Sequence, residues 1–250
     1  MIFVRSLAFN IVMFGAGTVL SLFGNLLKLI GSHRILQLGQ IWARLTLGAL
    51  APLCRIHIEI TGRAHLPAAG PAIIAAQHQS AFDTLVWLTL LPRPAYVLKQ
   101  ELLKLPLIGG LLLPSGFIAV DRAGAATALR KMLADCRAAA AQGRQIVIFP
   151  EGTRVAPGER VSLQPGVAAL AKHLNLPVIP AATDSGRLWG RQAFQKFPGR
   201  LHVKIYPPLP ASTGREQLLD QLARYFYDGL VDNSVDQAAN QFTDDTKKIF

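Results

Sequence analysis

The chain has few cysteines and few acidic residues. Only Cys54 and Cys136 occur in 250 residues, and no CxxC or Cys/His spacing surrounds them. The sequence therefore predicts neither a disulfide framework nor a zinc site, and a reducing compartment is the simplest interpretation. Against 15 Asp and Glu stand 26 Lys and Arg, a net charge of +11 that predicts an anionic partner. Nucleic acid is disfavoured, because no Lys/Arg-rich run is interleaved with aromatics and the hydrophobic content reaches 51%.

Several catalytic fingerprints are also absent from the sequence. It contains no P-loop, no dinucleotide-binding glycine pattern, no HExxH and no GxSxG nucleophile elbow. Neither cysteine lies in a recognisable nucleophile setting. The sequence thus gives no reason to invoke a nucleotide, a metal, another cofactor or a covalent enzyme intermediate.

Residues 1–54 are predicted to be membrane-anchoring helices. Residues 6–27 carry no charge, and a helix of 22 residues is about 33 Å long, close to the thickness of a bilayer core. A cleaved signal peptide is disfavoured, since no small-x-small site ends the apolar stretch before Lys28. Residues 34–53 predict an amphipathic helix, which we expect to insert at the membrane interface rather than pack on the domain with Trp42 in its core. The sequence leaves open whether residues 6–27 span the bilayer or dip into one leaflet.

From residue 55 onward, short strands alternate with helices. The predicted strands are 55–60, 72–76, 96–98, 117–120, 146–149, 177–182 and 201–206, and the predicted helices are 82–91, 124–142, 166–174, 187–196 and 213–230. This succession predicts an α/β domain over residues 55–232, with a mixed, mostly parallel sheet of about seven strands flanked by helices. Residues 233–250 are predicted to be an acidic, frayed tail.

Two short motifs follow predicted strands, where ligands collect in open α/β sheets. His78 and Asp83, in QHQSAFD, are five residues apart on the turn into a helix, so the carboxylate could orient the imidazole as a general base. The alternative is that Asp83 stabilises the helix N-terminus and His78 ends a strand. FPEGTR at 149–154 offers backbone donors, a hydroxyl and a planar cation, which favours phosphate or carboxylate binding over a surface Glu–Arg pair.

Four blocks in this order resemble the signature of the HxxxxD glycerolipid acyltransferase family. They are the HxxxxD motif, GFIAVDR at 116–122, FPEGTR and LPVIP at 176–180, and KQEL at 99–102 also matches a family segment. The similarity covers residues 55 to about 210 and is greatest to the bacterial members that acylate 1-acylglycerol-3-phosphate. It implies transfer of a fatty acyl group from an acyl carrier protein or coenzyme A thioester to the free sn-2 hydroxyl, which gives phosphatidate.

The resemblance also implies roles for individual residues. His78 would be the base and Asp83 its partner, while the candidates for binding the acceptor phosphate are Lys99, Arg122 and Arg154, with Glu151, Gly152 and Thr153 shaping the pocket. Two positions depart from the family pattern. Gln77 replaces the usual Asn or small polar residue before the His, and Gln164 lies in a stretch that often carries Lys before the Gly.

Membrane lipids and the thioester carrier are the partners that this resemblance implies. The expected location is a bacterial inner membrane, with the catalytic domain on the cytoplasmic side. Two alternatives remain: an acyltransferase for another lysophospholipid or a lyso-aminolipid, and a non-catalytic membrane protein that binds lipid or carrier. One further segment, RLWGR at 187–191, could contact lipid headgroups, but an ordinary surface helix is favoured there.

Overall fold

The computed structural model describes residues 1–30, 34–121 and 124–230, so the predicted tail at 233–250 lies outside the described residues. Helices α1 (Ile2–Leu29) and α2 (Ile35–Gly48) lead through a π-helical turn at Leu50–Cys54 into the sheet. The elements that follow are β1 (Ile56–Thr61), β2 (Ala72–Ala76), α3 (Phe82–Leu90), β3 (Pro94–Lys99), α4 (Gly109–Leu112), β4 (Ile118–Val120), α5 (Ala125–Ala141), β5 (Gln145–Ile148), α6 (Gly166–Leu174), β6 (Val178–Thr183), β7 (Gly199–Ile205) and α7 (Arg215–Tyr227).

Seven strands form one sheet in the order β1-β7-β6-β2-β5-β3-β4. Neighbouring strands run parallel except β6 and β7, which are antiparallel. The predicted seven-stranded, mostly parallel sheet is therefore confirmed. The central strands β2, β5 and β6 are buried along their whole length, as their continuous apolar sequences predict.

Helices cover both faces of the sheet. On one face, α1, α2 and α3 contribute to a core that includes Phe9, Leu47 and Trp87. On the other face, α5, α6 and α7 contribute Cys136, Leu170 and Leu222, among others. This layering leaves the loops at the carboxyl ends of β2 and β5 next to each other, because the two strands pair in parallel.

The predicted helix at 187–196 is wrong. The structure has only a short 3-10 turn at Ser185–Arg187, followed by irregular chain in which Gln192 has a left-handed φ of 55°. Trp189 is only 3% exposed, so the segment is not a surface helix. Long-range bonds override the local pattern: the buried Lys196 Nζ donates to Asn10 Oδ1 at 2.6 Å, on α1.

Helix α1 is attached to the rest of the protein along one face. Its buried residues are mostly small or polar, namely Ser6, Phe9, Asn10, Met13, Gly17, Ser21 and Gly24. Trp42 Nε1 donates to the Met13 carbonyl at 2.8 Å, and a Cβ on Gly17 would lie 3.0 Å from the same nitrogen. Farther along, Asn25 Nδ2 donates to the Leu107 carbonyl at 2.8 Å. Large apolar side chains are exposed elsewhere on α1, among them Phe3, Val4, Leu7, Ile11, Phe14, Val19, Leu22, Phe23 and Leu26.

Helix α2 packs between α1 and α3. Gln40, on its buried side, donates from Nε2 to the Leu91 carbonyl at 3.2 Å. Ile41 and Leu45 remain exposed on the helix. The helix therefore packs on the domain, and insertion of its exposed side chains into a membrane stays a prediction.

Candidate active site

The loop after β2 is fixed to the neighbouring strand by two glutamines. Gln77 donates its backbone N–H to the Ala181 carbonyl at 2.9 Å, and its side-chain Oε1 accepts the Thr183 N–H at 3.0 Å. Gln79 Oε1 accepts the Gly186 N–H at 3.0 Å. Gln77, one of the departures from the family pattern, thus helps to hold the loop that carries His78.

His78 and Asp83 are in hydrogen-bond contact. His78 Nδ1 lies 3.2 Å from Asp83 Oδ2, and the Asp83 side chain is only 2% exposed. A carboxylate at this distance holds the ring with Nδ1 protonated, which leaves Nε2 as the basic nitrogen. Nε2 makes no hydrogen bond to any residue that the structure describes, and His78 lines a large cavity. The pair therefore has the geometry of a general base with an orienting acid.

The Asp83 side chain accepts hydrogen bonds from several donors. Its Oδ2 accepts the backbone N–H groups of Gln79 at 2.6 Å and Ser80 at 2.7 Å, and its Oδ1 accepts the Ser185 hydroxyl at 2.6 Å. These hydrogen bonds satisfy both oxygens of the buried side chain. The helix-stabilising alternative from the sequence and the orienting role are therefore compatible, because one carboxylate does both.

The imidazole is also held by aromatic packing. The Phe149 ring stacks on His78 with centroids 4.2 Å apart and an interplanar angle of 23°. Tyr96 lies beyond Phe149, with centroids 6.4 Å apart, and donates its hydroxyl to the Thr84 carbonyl at 2.7 Å. The first residue of FPEGTR therefore serves as one wall against which the imidazole rests.

Two hydrogen bonds join FPEGTR directly to the His78 loop. The His78 backbone N–H donates to Glu151 Oε2 at 2.5 Å, and the Val155 N–H donates to the His78 carbonyl at 2.8 Å. Gly152 makes the turn possible, because its φ of 70° lies in the left-handed region that most side chains avoid. The two sequence motifs thus form one structural unit.

Burial gives Glu151 an unusual protonation state. The residue is 4% exposed, and desolvation raises its pKa to about 8 despite the opposing hydrogen bonds from His78 and Tyr227. At pH 7 the carboxyl group is therefore mostly protonated.

The contacts of Tyr227 agree with a protonated Glu151. The Tyr227 hydroxyl lies 3.2 Å from Glu151 Oε1, 3.2 Å from the Val161 carbonyl and 3.3 Å from the Val161 N–H. A phenol has one proton and cannot donate to both oxygens. If Glu151 donates to Tyr227 and Tyr227 donates to the carbonyl, every group in this set is satisfied.

The predicted binding residues lie around one cavity of about 1160 Å³. Six of the eight predicted site residues line it: His78, Lys99, Glu151, Gly152, Thr153 and Arg154. Asp83 contacts His78 without lining the cavity, and Arg122 lies outside the described residues. Lys99 and Arg154 have no carboxylate within ion-pair distance in the described part of the chain.

The rest of the cavity wall is largely apolar. Its apolar side chains extend from His78 to the N-terminal helices and include Trp42, Leu85, Leu88, Leu98, Leu112, Phe117, Leu129 and Met132. A cavity with cations on part of its wall and apolar side chains on the rest suits an amphiphile with an anionic head. Within the described ranges no group of three or more His, Cys, Asp or Glu side chains could hold a metal ion.

Sequence reasoning missed two residues that line the cavity, Arg191 and Gln192. Both belong to the segment that the sequence predicted as a helix. The available signal was the RLWGR string, in which cations flank a tryptophan, but nothing local indicated that the second arginine reaches the site. Gln164, the other departure from the family pattern, also lines the cavity.

The fold and the paired motifs define an acyltransferase. A family model described as Acyltransferase matches residues 57–184, just over half of the chain, and the chain belongs to that family. A 1-acyl-sn-glycerol-3-phosphate acyltransferase of Pseudomonas aeruginosa is 32% identical over 172 residues, which are 69% of this chain and 66% of that protein. The enzyme of the same name from Limnanthes alba is 28% identical over 200 residues, or 79% of this chain and 70% of that protein.

A solved structure shares the fold. The crystal structure of the 1-acyl-sn-glycerophosphate (LPA) acyltransferase PlsC from Thermotoga maritima superposes with a TM-score of 0.74 and 20% sequence identity. The match covers 94% of this chain and 98% of that one, so it includes the N-terminal helices as well as the sheet.

Proposed function

We propose that this chain is a 1-acylglycerol-3-phosphate O-acyltransferase, which moves a fatty acyl group from a thioester to lysophosphatidate and makes phosphatidate. One observation carries the proposal: His78, oriented by Asp83, lines the same largely apolar cavity as Lys99 and Arg154, which have no carboxylate within ion-pair distance among the described residues. The similarity to enzymes of that name supports the choice of acceptor.

His78 would act on the acceptor hydroxyl. Nε2 takes the hydroxyl proton while the acceptor oxygen attacks the thioester carbonyl, and Asp83 stabilises the imidazolium that forms. A carbon–oxygen bond forms, the carbon–sulfur bond breaks, and the imidazolium returns the proton to the departing thiolate. Lys99 and Arg154 would bind the acceptor phosphate, with Arg122 the third candidate from the sequence.

The acyl donor would be a thioester of acyl carrier protein or of coenzyme A. Both carriers are anionic, and the net charge of +11 suits either. A comparison of the two donors at equal acyl-chain length measures the preference directly.

Membrane association would come from residues 1–54 as an anchoring unit. Helix α1 is long and apolar enough to cross a membrane by length and composition. However, it is bonded to the domain at Asn10, Met13 and Asn25, and lipid cannot surround a helix with one face occupied in this way. We therefore place the exposed face of α1 in one leaflet, beside the mouth of the cavity.

The proposed location is the inner membrane of a bacterium, with the catalytic domain at the cytoplasmic face. Free Cys54 and Cys136 suit a reducing compartment, and one of the similar enzymes is bacterial. Labelling of an introduced surface cysteine by a membrane-impermeant reagent, in intact cells and in lysed cells, would test the sidedness.

An acceptor panel tests the activity. Purified protein in mixed micelles is given one radiolabelled acyl thioester with lysophosphatidate, other lysophospholipids or a lyso-aminolipid. We expect phosphatidate as the main product. Faster transfer to another lysolipid would show that lysophosphatidate is not the preferred acceptor. Lipid binding without transfer to any acceptor would favour the non-catalytic alternative.

A further inference from the structure

The segment from Ser185 to Phe197 lies outside the four sequence blocks but reaches the cavity. After its 3-10 turn the chain is irregular, and Arg191 and Gln192 line the cavity. The left-handed backbone of Gln192, at φ 55°, is uncommon for a residue other than glycine. Such a backbone conformation persists where the surrounding contacts hold it in place. We therefore expect both ends of this segment to be fixed by the rest of the protein.

The segment is fixed at its start by the catalytic loop. The Ser185 hydroxyl donates to Asp83 Oδ1 at 2.6 Å, and the Gly186 N–H donates to Gln79 Oε1 at 3.0 Å. Trp189 follows and is buried, and its backbone N–H donates to the Ser185 carbonyl at 2.9 Å. The position of the residues before Arg191 is therefore set by the same groups that hold the His78–Asp83 pair.

The end of the segment is fixed by α1. Lys196 is 3% exposed, and its Nζ donates to Asn10 Oδ1 at 2.6 Å and to the Phe194 carbonyl at 2.9 Å. The Lys196 N–H donates to the Ser6 hydroxyl at 2.9 Å. Arg191 thus extends from a short connection that is held at both ends.

Arg154 and Arg191 are positively charged side chains on the wall of the same cavity. Burial lowers the pKa of Arg154, the Asp83 carboxylate raises it, and the positive charge of Arg191 lowers it, so the two guanidinium groups repel each other. Within the described ranges, neither arginine has a carboxylate within 4.0 Å. Two arginines on the wall of one cavity, without a described carboxylate in ion-pair contact, suit an anion with several acceptor oxygens.

We propose that Arg191 is a further substrate-binding residue, which grips the phosphate monoester of the acyl acceptor together with Arg154. This inference rests on the proposed function, because it assigns one of that reaction's substrates to the residue. Coenzyme A also carries a phosphate monoester, so the same chemistry has two sources. The acceptor is the source we assign, since Arg191 lies on the segment that also bonds to Asp83.

The test measures steady-state kinetics of Arg191→Ala and Arg191→Lys in mixed micelles. The acceptors are lysophosphatidate and monoacylglycerol, which lacks the phosphate, and the donors are acyl carrier protein and coenzyme A thioesters of one acyl chain. The matched control is Arg187→Ala, because Arg187 lies on the same segment, is exposed and pairs with Asp184. Thermal unfolding of each variant checks that the fold is retained.

For Arg191→Ala we expect the KM for lysophosphatidate to rise about tenfold or more, with kcat changed by less than about threefold. Lysine should restore part of the affinity, as a point charge without the planar fork. The preference for lysophosphatidate over monoacylglycerol should fall by about the same factor, and both donor KM values and the Arg187→Ala control should stay at wild-type values.

Three results would overturn the inference. A KM for lysophosphatidate within about twofold of wild type in Arg191→Ala would remove Arg191 from the acceptor site. A raised KM for the coenzyme A thioester alone would assign the arginine to the donor. Wild-type protein that does not acylate lysophosphatidate at all would refute the proposed function, and this inference with it.

Discussion

Two parts of the cavity wall differ in the hydrogen bonds and ion pairs that their polar groups make with the protein. On the His78 side, the Asp83 carboxylate accepts three protein donors besides the imidazole, and the His78 backbone is bonded in both directions. Elsewhere on the cavity wall, Lys99, Arg154 and Arg191 have no carboxylate partner within the described ranges. The His78–Asp83 pair is therefore positioned before substrate binds, whereas the three cations remain available to an anionic substrate.

This difference matches what each side has to do. A general base is more effective when its ring is already oriented in the free enzyme, because no free energy is then spent on orienting it during the reaction. A binding cation works when no internal carboxylate competes with the ligand. Changes on the first side should therefore lower kcat, whereas changes on the second should raise the KM for the acceptor.

The largest expected effect comes from His78→Ala. Loss of a general base typically costs about 10²–10⁴-fold in rate, so we expect kcat to fall within that range while the acceptor KM changes little. His57→Ala is the matched control, because His57 is an exposed histidine on β1, an edge strand that β7 and β6 separate from β2. Initial rates with saturating thioester measure both. Turnover by His78→Ala within about threefold of wild type would refute the assigned role.

Arg154→Ala tests the cationic part of the cavity wall. We expect the KM for lysophosphatidate to rise by about 10–100-fold and kcat to fall much less, because a charge-assisted phosphate contact is lost while the base stays in place. Arg200→Ala is the control, since Arg200 is exposed and pairs with Glu59 on the neighbouring strand. An equal loss in kcat with an unchanged KM would erase the distinction between the two sides.

Glu151→Gln sharpens the comparison, because Glu151 lies in FPEGTR and its side chain accepts the His78 backbone N–H. Its folded-state pKa of about 8 lies above its ordinary value of 4.5. Between these values the folded protein binds a proton that the unfolded chain lacks. The free energy of unfolding therefore falls as the pH rises from about 4.5 to 8, by roughly 3–5 kcal/mol in all. Above about pH 8 it stays lower by this full amount.

Glutamine resembles the protonated acid, since its carbonyl can accept from His78 and its amide can donate to Tyr227. We expect the free energy of unfolding of Glu151→Gln, from urea titration in micelles at pH 5 and pH 9, to depend less on pH than that of wild type. Glu59→Gln is the control, because Glu59 is a partly exposed carboxylate paired with Arg200. An identical pH dependence in wild type and Glu151→Gln would contradict a buried, neutral Glu151.

The sequence predicted the sheet well and the site in part. Continuous apolar runs such as the one at 72–76 identify covered strands without any tertiary information, and all seven strands were found. The His78–Asp83 contact followed from its short spacing on a turn into a helix. These features depend on neighbours in the chain, which is why local patterns contain them.

The sequence failed where distant residues decide the structure. The segment at 187–196 has a helical pattern, but bonds to Asp83 and to α1 determine its irregular path. The pKa of Glu151 depends on burial and on Tyr227, a contact that spans 76 positions. No local pattern carries that information, so the position of Arg191 at the cavity and the contact of Tyr227 with Glu151 emerged only from the structure.

Tyr227→Phe should have the smallest effect and tests the link between α7 and the two motifs. The variant loses the contacts of the hydroxyl with Glu151 and Val161 while keeping the ring in place. Because each net hydrogen bond contributes about 1 kcal/mol, we expect the free energy of unfolding at pH 6 to fall by roughly 1–2 kcal/mol. Since Glu151 also holds the His78 backbone, kcat should fall modestly, with no change in the acceptor KM.

Tyr225→Phe is the matched control on the same helix, because the Tyr225 ring stacks on Tyr206 and its hydroxyl makes no hydrogen bond within the described residues. It should stay within about 0.5 kcal/mol of wild type. If Tyr227→Phe raised the acceptor KM instead of lowering kcat, the hydroxyl would act on the phosphate-binding side. FPEGTR would then couple the position of the His78 loop to binding of the acceptor phosphate.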